Sequence, residues 1–228
     1  MKTLNEFFDH IFVLTIDRNQ DRMPALLEQL DRNNIEAEII LGMDGENHPF
    51  SQISTVNPDR IFRFGEGQEG INCKEAAHAY NHKLIFINAI ARGYKNFLIL
   101  EDDAVFIDNF QEKFSEVVAE LPEDWDIFYL GAQFWYGRPT DFSEKLGRGN
   151  KTLAAHAIGF NSRNFEFLLN NIPLNVPVDV YYLNLEDVLN VYVSKRILVD
   201  QNTGFDSSLV DERTSTDLWH WNNILDNE

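Results

Sequence analysis

Asn96-Phe97-Leu98-Ile99-Leu100-Glu101-Asp102-Asp103-Ala104 runs from an unbroken apolar segment straight into three consecutive carboxylates. A strand with one wet face alternates apolar and polar residues, whereas a short continuous apolar run reads as a strand buried on both faces, as in a parallel sheet covered by helices. In open α/β sheets the ligand crevice lies outside the carboxyl ends of such strands, so Glu101, Asp102 and Asp103 stand where a ligand is expected.

Upstream, residues 74–92 carry Ala77, Tyr80, Leu84, Ile87 and Ala91 at three-four spacing, which predicts a helix with one face on the sheet. Gly93 suits the left-handed position just beyond its end. Further back, His10 to Ile16 is a second buried strand. Asp21 is expected to cap a helix carrying Met23, Leu26, Leu27 and Leu30, with Pro24 tolerated in its first turn and Asn33-Asn34 stopping it. Residues 37–43 then form a strand, and strand, helix, strand with short links is a right-handed parallel crossover. The polar, glycine-bearing stretch from Glu46 to about Asn72 reads as a long surface loop.

Downstream the alternation continues, with a helix near residues 110–120, strands over 126–130 and 152–160, and a helix opened by Ser162. No repeat or low-complexity segment interrupts it. The expectation is one α/β domain over residues 1–228, with a mostly parallel central sheet flanked by helices. It divides into a first half over about 10–103, closing on the acidic strand end, and a second half over about 104–228.

Composition narrows the partners. With 37 acidic against 19 basic residues the formal charge is −18, a field that repels nucleic acid and anionic membrane surfaces, so an anionic small ligand needs local basic groups or a metal. No run reaches the length of a membrane span and the N-terminus lacks a signal-like apolar region, which points to a soluble, cytoplasmic protein, with peripheral membrane association still open. The lone Cys73 has no disulfide partner and no metal-ligand pattern around it.

Three adjacent carboxylates repel one another, and a hard divalent cation relieves that repulsion while bridging to a diphosphate. The plainer reading is an acidic strand end facing solvent. His78 and His82, four apart on one helix face, could share a metal, but Ala79 stands where a His-Glu-x-x-His protease has its glutamate. His82 reads better as a packed, hydrogen-bonded support for the acidic turn. Gln133, Trp135 and Tyr136 follow the 126–130 strand and are placed either to stack on a sugar or to pack in the core.

The order and spacing of several segments resemble glycosyltransferase family 25, the group of lipooligosaccharide β-galactosyltransferases and procollagen galactosyltransferases. The segments are residues 11–18 with Asp21-Arg22, Met43-Asp44-Gly45, Glu75 to His82, Leu98 to Ala104, Trp125 to Gly131, His156-Ala157 and Pro177-Val178-Asp179. The chain departs from the family pattern at Thr15-Ile16, where Asn-Leu is usual, and across 75–82, where Gly-Cys-x-x-Ser-His is usual.

The resemblance implies a GT-A-type fold and a metal-dependent inverting transfer of a hexose, galactose from UDP-galactose by family weighting. The acceptor would be a glycan or glycoconjugate, as in lipopolysaccharide biosynthesis. Asp103 would bind Mn²⁺ or Mg²⁺. Glu101, two residues earlier along an extended chain, would reach the ribose or the metal's water, while Asp102 orients the turn. Thr15, Asp17, Arg18 and Arg22 would lie along the nucleotide, either arginine forking onto phosphate or forming salt bridges instead. Asp44 would meet the base or simply close a turn, and His156 would border the donor. Asp179 is the first choice for the general base, with Glu186 and Asp187 in reserve.

Two other readings compete. A nucleotidyltransferase would use the same acidic strand end, but no glycine-rich phosphate loop is present. A non-catalytic sugar-nucleotide or carbohydrate-binding module of the same fold would keep the ligand site without turnover.

Overall fold

The computed structural model describes residues 1–46, 71–135, 139–202 and 218–219. In chain order the elements are α1 (Leu4–Phe7), β1 (His10–Thr15), α2 (Met23–Arg32), β2 (Glu38–Leu41), α3 (Cys73–Arg92), β3 (Asn96–Glu101), β4 (Ala104–Phe106) and α4 (Phe110–Val118). There follow β5 (Ile127–Tyr129), β6 (Gln133–Trp135), β7 (Thr140–Asp141), β8 (Leu146–Arg148), β9 (Thr152–Leu153) and β10 (Ala157–Asn161). The chain continues through α5 (Phe165–Asn171), α6 (Val178–Leu183), β11 (Val191–Ser194), β12 (Val199–Gln201) and β13 (Leu218–Trp219). The expected loop over 46–72 falls almost wholly outside the described residues.

The main sheet has eight strands in the order β2-β1-β3-β10-β5-β11-β8-β7. Only β10 and β8 run against the other six, so the sheet is mainly parallel, and it draws strands from both predicted halves. Its central strands β1 and β3 are apolar on both faces, as the sequence predicts, while the outer strands β2 and β7 expose residues such as Leu41 and Thr140. Phe12, Leu14, Phe97 and Ile99 point to one side, against Phe86 and Ala89 of α3, Phe165 of α5 and Tyr182 of α6. Ile11, Val13, Leu98 and Leu100 point to the other, against Leu26 of α2 and Phe114 of α4. This is the period-two alternation of a strand meeting helices on both sides.

Because α2 and α3 lie on opposite faces, the chain winds outward in two directions from the β1–β3 pair. That makes the carboxyl ends of β1 and β3 a topological switch point, where a crevice opens without any insertion.

Three local expectations need correcting. Asp21 does not cap α2, since Arg22 is the residue at the cap and makes no side-chain capping bond. Residues 16–22 form a tight turn instead, closed by Asn19 N–H to Ile16 O and Arg22 N–H to Asn19 O. Residues 152–160 are two strands and not one, because Ala154 sits at φ +72 and breaks the run. The helix after β10 is entered through a 3-10 turn over Ser162–Asn164 whose cap is Asn161, its side chain accepting from Arg163 N–H. By contrast α3 has a full capping box between Asn72 and Glu75, and Gly93 ends it at φ +72, as expected.

Candidate active site

At the switch point an open cleft of about 670 Å³ is walled by Thr15, Arg18, Asn19 and Arg22 after β1, Asp44 and Gly45 after β2, and Lys74, His78 and Asn81 of α3. Glu101, Asp102 and Asp103 also line it.

The three carboxylates diverge. Asp102 turns into the protein and accepts from Thr15 Oγ1 at 2.8 Å, Asn19 Nδ2 at 3.0 Å and Arg22 Nη1 at 3.0 Å. It orients the turn, and Thr15 and Arg22 are drawn into that task. Glu101 Oε1 sits 2.8 Å from His78 Nε2 on α3. Burial opposes its ionisation, but the His78 charge and hydrogen bond outweigh burial and hold the carboxyl well below the usual carboxylate range. Asp103 lies in the turn after β3, so the extended alternation used to place it beside Glu101 ends at Glu101. It is buried under the end of β12, with Gln201 Nε2 3.4 Å from its Oδ2 and its carbonyl accepting from Asn202 N–H at 2.7 Å.

The basic groups stand at the mouth. Arg18 pairs with Asp44 at 3.4 Å and with Glu46, and Lys74 reaches Glu46 at 3.2 Å. Asp44 is buried and also accepts from Glu46 N–H at 3.0 Å, an Asp-turn that aims its loop. Asn81 clamps that loop from α3, bonding both the N–H and the carbonyl of Met43 at 2.8 and 3.0 Å. Gly45 lets it lie flat on α3, since a Cβ there would run into the Cys73 carbonyl. Gly45→Ala is therefore expected to cost about 1–3 kcal/mol of stability, read as a lower urea midpoint at unchanged slope.

Asp179 occupies the first turn of α6, with Val180 N–H donating to its Oδ1 at 2.8 Å. Burial raises its pKa, more than its backbone donors Val180 and Ala154 and the His78 charge lower it, and Glu101 adds repulsion. His78 feels Asp179 and Asp103 as well as Glu101. Burial works against its protonation, yet these carboxylates leave its pKa raised. The acid turn, α3 and α6 thus converge on His78.

Asp179 itself does not line the cleft, and the remaining candidates lie elsewhere. Asp17 is exposed and does not line the cleft. His156 is buried behind β3, with Nε2 2.9 Å from the Val199 carbonyl, while its own carbonyl accepts from Glu101 N–H at 2.9 Å. Glu186 grips the backbone at Lys151 and Thr152 at 2.5 and 3.0 Å, and Asp187 is exposed. Gln133 reaches the site indirectly, its Nε2 3.4 Å from Gln201 Oε1. The Trp135 side chain and Tyr136 are outside the described residues.

Lys74, Asn19, Asn81 and Gln201 were not singled out from the sequence. Only Lys74 offered a signal, as a cation opening the helix that faces the acid strand end.

Residues 8–148 match the family model described as Glycosyltransferase family 25 (LPS biosynthesis protein). The chain belongs to glycosyltransferase family 25. Human procollagen galactosyltransferase 2 is 26% identical over 129 residues, which are 54% of this chain and 21% of that protein. Mouse inactive glycosyltransferase 25 family member 3 is also 26% identical over 129 residues, 54% of this chain and 22% of that protein. The chain spans about a fifth of the length of these curated relatives. Among solved structures, A197 from STIV shares the fold, with TM-score 0.51 and 14% identity over 90% of this chain and 96% of that one. No helix of the described residues is long and apolar enough to cross a membrane.

Proposed function

We propose that this family 25 domain transfers a hexose from a nucleoside diphosphate donor, UDP-galactose in the first instance, to a hydroxyl of a glycan or glycoconjugate, with inversion. The observation that carries this reading is the cleft at the β1–β3 switch point, floored by Glu101 and Asp103 and edged by Arg18 and Lys74.

With Asp102 turned inward, Glu101 and Asp103 leave two oxygen-bearing side chains on the floor. Such a set suits Mn²⁺ or Mg²⁺, hard ions that keep waters and complete their shell with substrate phosphates. When bound, the ion supplies Lewis-acid neutralisation of the leaving diphosphate. Arg18 and Lys74 exchange their carboxylate partners for phosphate oxygens as the donor enters. Asp179 takes the proton of the acceptor hydroxyl as that oxygen bonds to the anomeric carbon. The bond from this carbon to the diphosphate breaks with its electron pair leaving on phosphate. The raised pKa of Asp179 makes it a stronger base than an exposed aspartate.

UDP is expected to raise the melting temperature only with Mn²⁺ or Mg²⁺ present, and Asp103→Asn is expected to remove that shift with the far-ultraviolet circular dichroism unchanged. Equal stabilisation in excess chelator would end the metal-bridge reading. The similarity to an inactive family member equals that to a galactosyltransferase, which sustains a second reading, a sugar-nucleotide-binding domain without turnover. Tight donor binding with no transfer to any acceptor or to water would favour it.

A further inference from the structure

Beneath the cleft floor, His78 and His82 lie one turn apart on α3 with their rings edge to face, centroids 4.9 Å apart. One nitrogen from each imidazole and a Glu101 carboxylate oxygen lie within 4.8 Å of one another. His82 is fully buried, its Nδ1 3.0 Å from the Tyr182 hydroxyl of α6, and its Nε2 has no hydrogen-bond partner. A buried ring nitrogen left bare is costly unless something occupies it.

We propose that His78, His82 and Glu101 form a binding site for a borderline-soft divalent ion of the Zn²⁺ or Co²⁺ class, with its open coordination position facing the cleft. The site shares Glu101 with the Mn²⁺ or Mg²⁺ set of the proposed function but uses the two histidines in place of Asp103, and it does not depend on nucleotide.

Two imidazoles and one carboxylate make a donor set that prefers such ions over Mg²⁺ or Ca²⁺. Tetrahedral coordination at about 2.0–2.1 Å puts neighbouring ligand atoms about 3.3 Å apart. His78 Nε2 and Glu101 Oε1 stand at 2.8 Å, and no pair exceeds 4.8 Å, so modest rotamer shifts complete the triangle. An ion there takes the place of the proton shared by His78 and Glu101. In the tautomer with hydrogen on Nδ1, His82 donates to the Tyr182 oxygen and presents Nε2 to the ion, the usual outer-shell arrangement of a metal-bound histidine. His78 and Glu101 line the cleft and His82 does not, which sets the vacant coordination position on the cleft side.

The test is a Co²⁺ titration of the untagged chain without nucleotide, followed by visible absorption. One equivalent is expected to give the intense ligand-field bands of a low-coordinate site, and Zn²⁺ is expected to bleach them. His78→Gln, which can still donate to Glu101 and so keep the local fold, should weaken Co²⁺ binding at least ~10-fold, as losing a direct ligand costs no less than losing an outer-shell partner. Asp103→Asn should leave the bands intact while removing Mn²⁺-dependent UDP stabilisation, so failure here and failure of the transfer reading are separable. No bands at saturating Co²⁺ overturns the proposal. So do bands that survive His78→Gln and vanish in Asp103→Asn, which would put the ion on the acid turn.

Discussion

Asp179→Asn is expected to slow sugar transfer by about 100-fold or more while donor affinity stays near the parental value. The asparagine oxygen can keep accepting from the Val180 N–H, so the first turn of α6 survives. What is lost is a carboxylate that burial has made more basic than an exposed one. In steady-state kinetics kcat and kcat/KM should fall together, the signature of an interaction made in the transition state. Parental turnover in Asp179→Asn, with loss in Glu186→Gln or Asp187→Asn, would move the base. Glu186 already holds two backbone N–H groups, so its substitution is expected to lower stability as well.

Asp102→Ala is expected to destabilise the fold by about 3–5 kcal/mol, more than any other change to the acid triplet. Its side chain gathers Thr15, Asn19 and Arg22, all buried, and alanine withdraws an ionised acceptor from three desolvated donors at once. The measurement is the urea midpoint. Asp103→Asn, which keeps the side chain's shape and an acceptor oxygen, should shift it less. Equal stability losses at the two positions would mean that Asp102 is not the anchor of the turn.

The first half of the sheet could be read from the sequence because its strands and helices carry strong, opposite periodicities: continuous apolar runs at 11–14 and 97–100, and three-four spacing over 74–92. Strand direction leaves no such mark. Nothing in residues 157–161 announces that β10 runs antiparallel between β3 and β5, and the bend at Ala154 is invisible because alanine is a poor advertisement for positive φ. At the site, the acidic strand end and its setting were legible through fold rules. The sequence reading has Asp102 orienting the turn but names none of the partners that hold it there. Thr15 and Arg22 precede it by 87 and 80 residues, and His78 precedes Glu101 by 23, so these pairings exist only once α3 and the first crossover have docked on the sheet.

The reversed strand β10 also sets how the chain can be divided. The family match ends at residue 148, yet β3 finds its second neighbour only at residues 157–161, and β5 lies between β10 and β11 (Val191–Ser194). A chain ended at residue 148 would leave Phe97 to Leu100, buried on both faces, with one whole row of backbone amides and carbonyls open along the sheet's flank. Such an edge is a template for pairing with other copies. The unit that matches the family and the unit that closes the flank of β3 are therefore different lengths of the same chain.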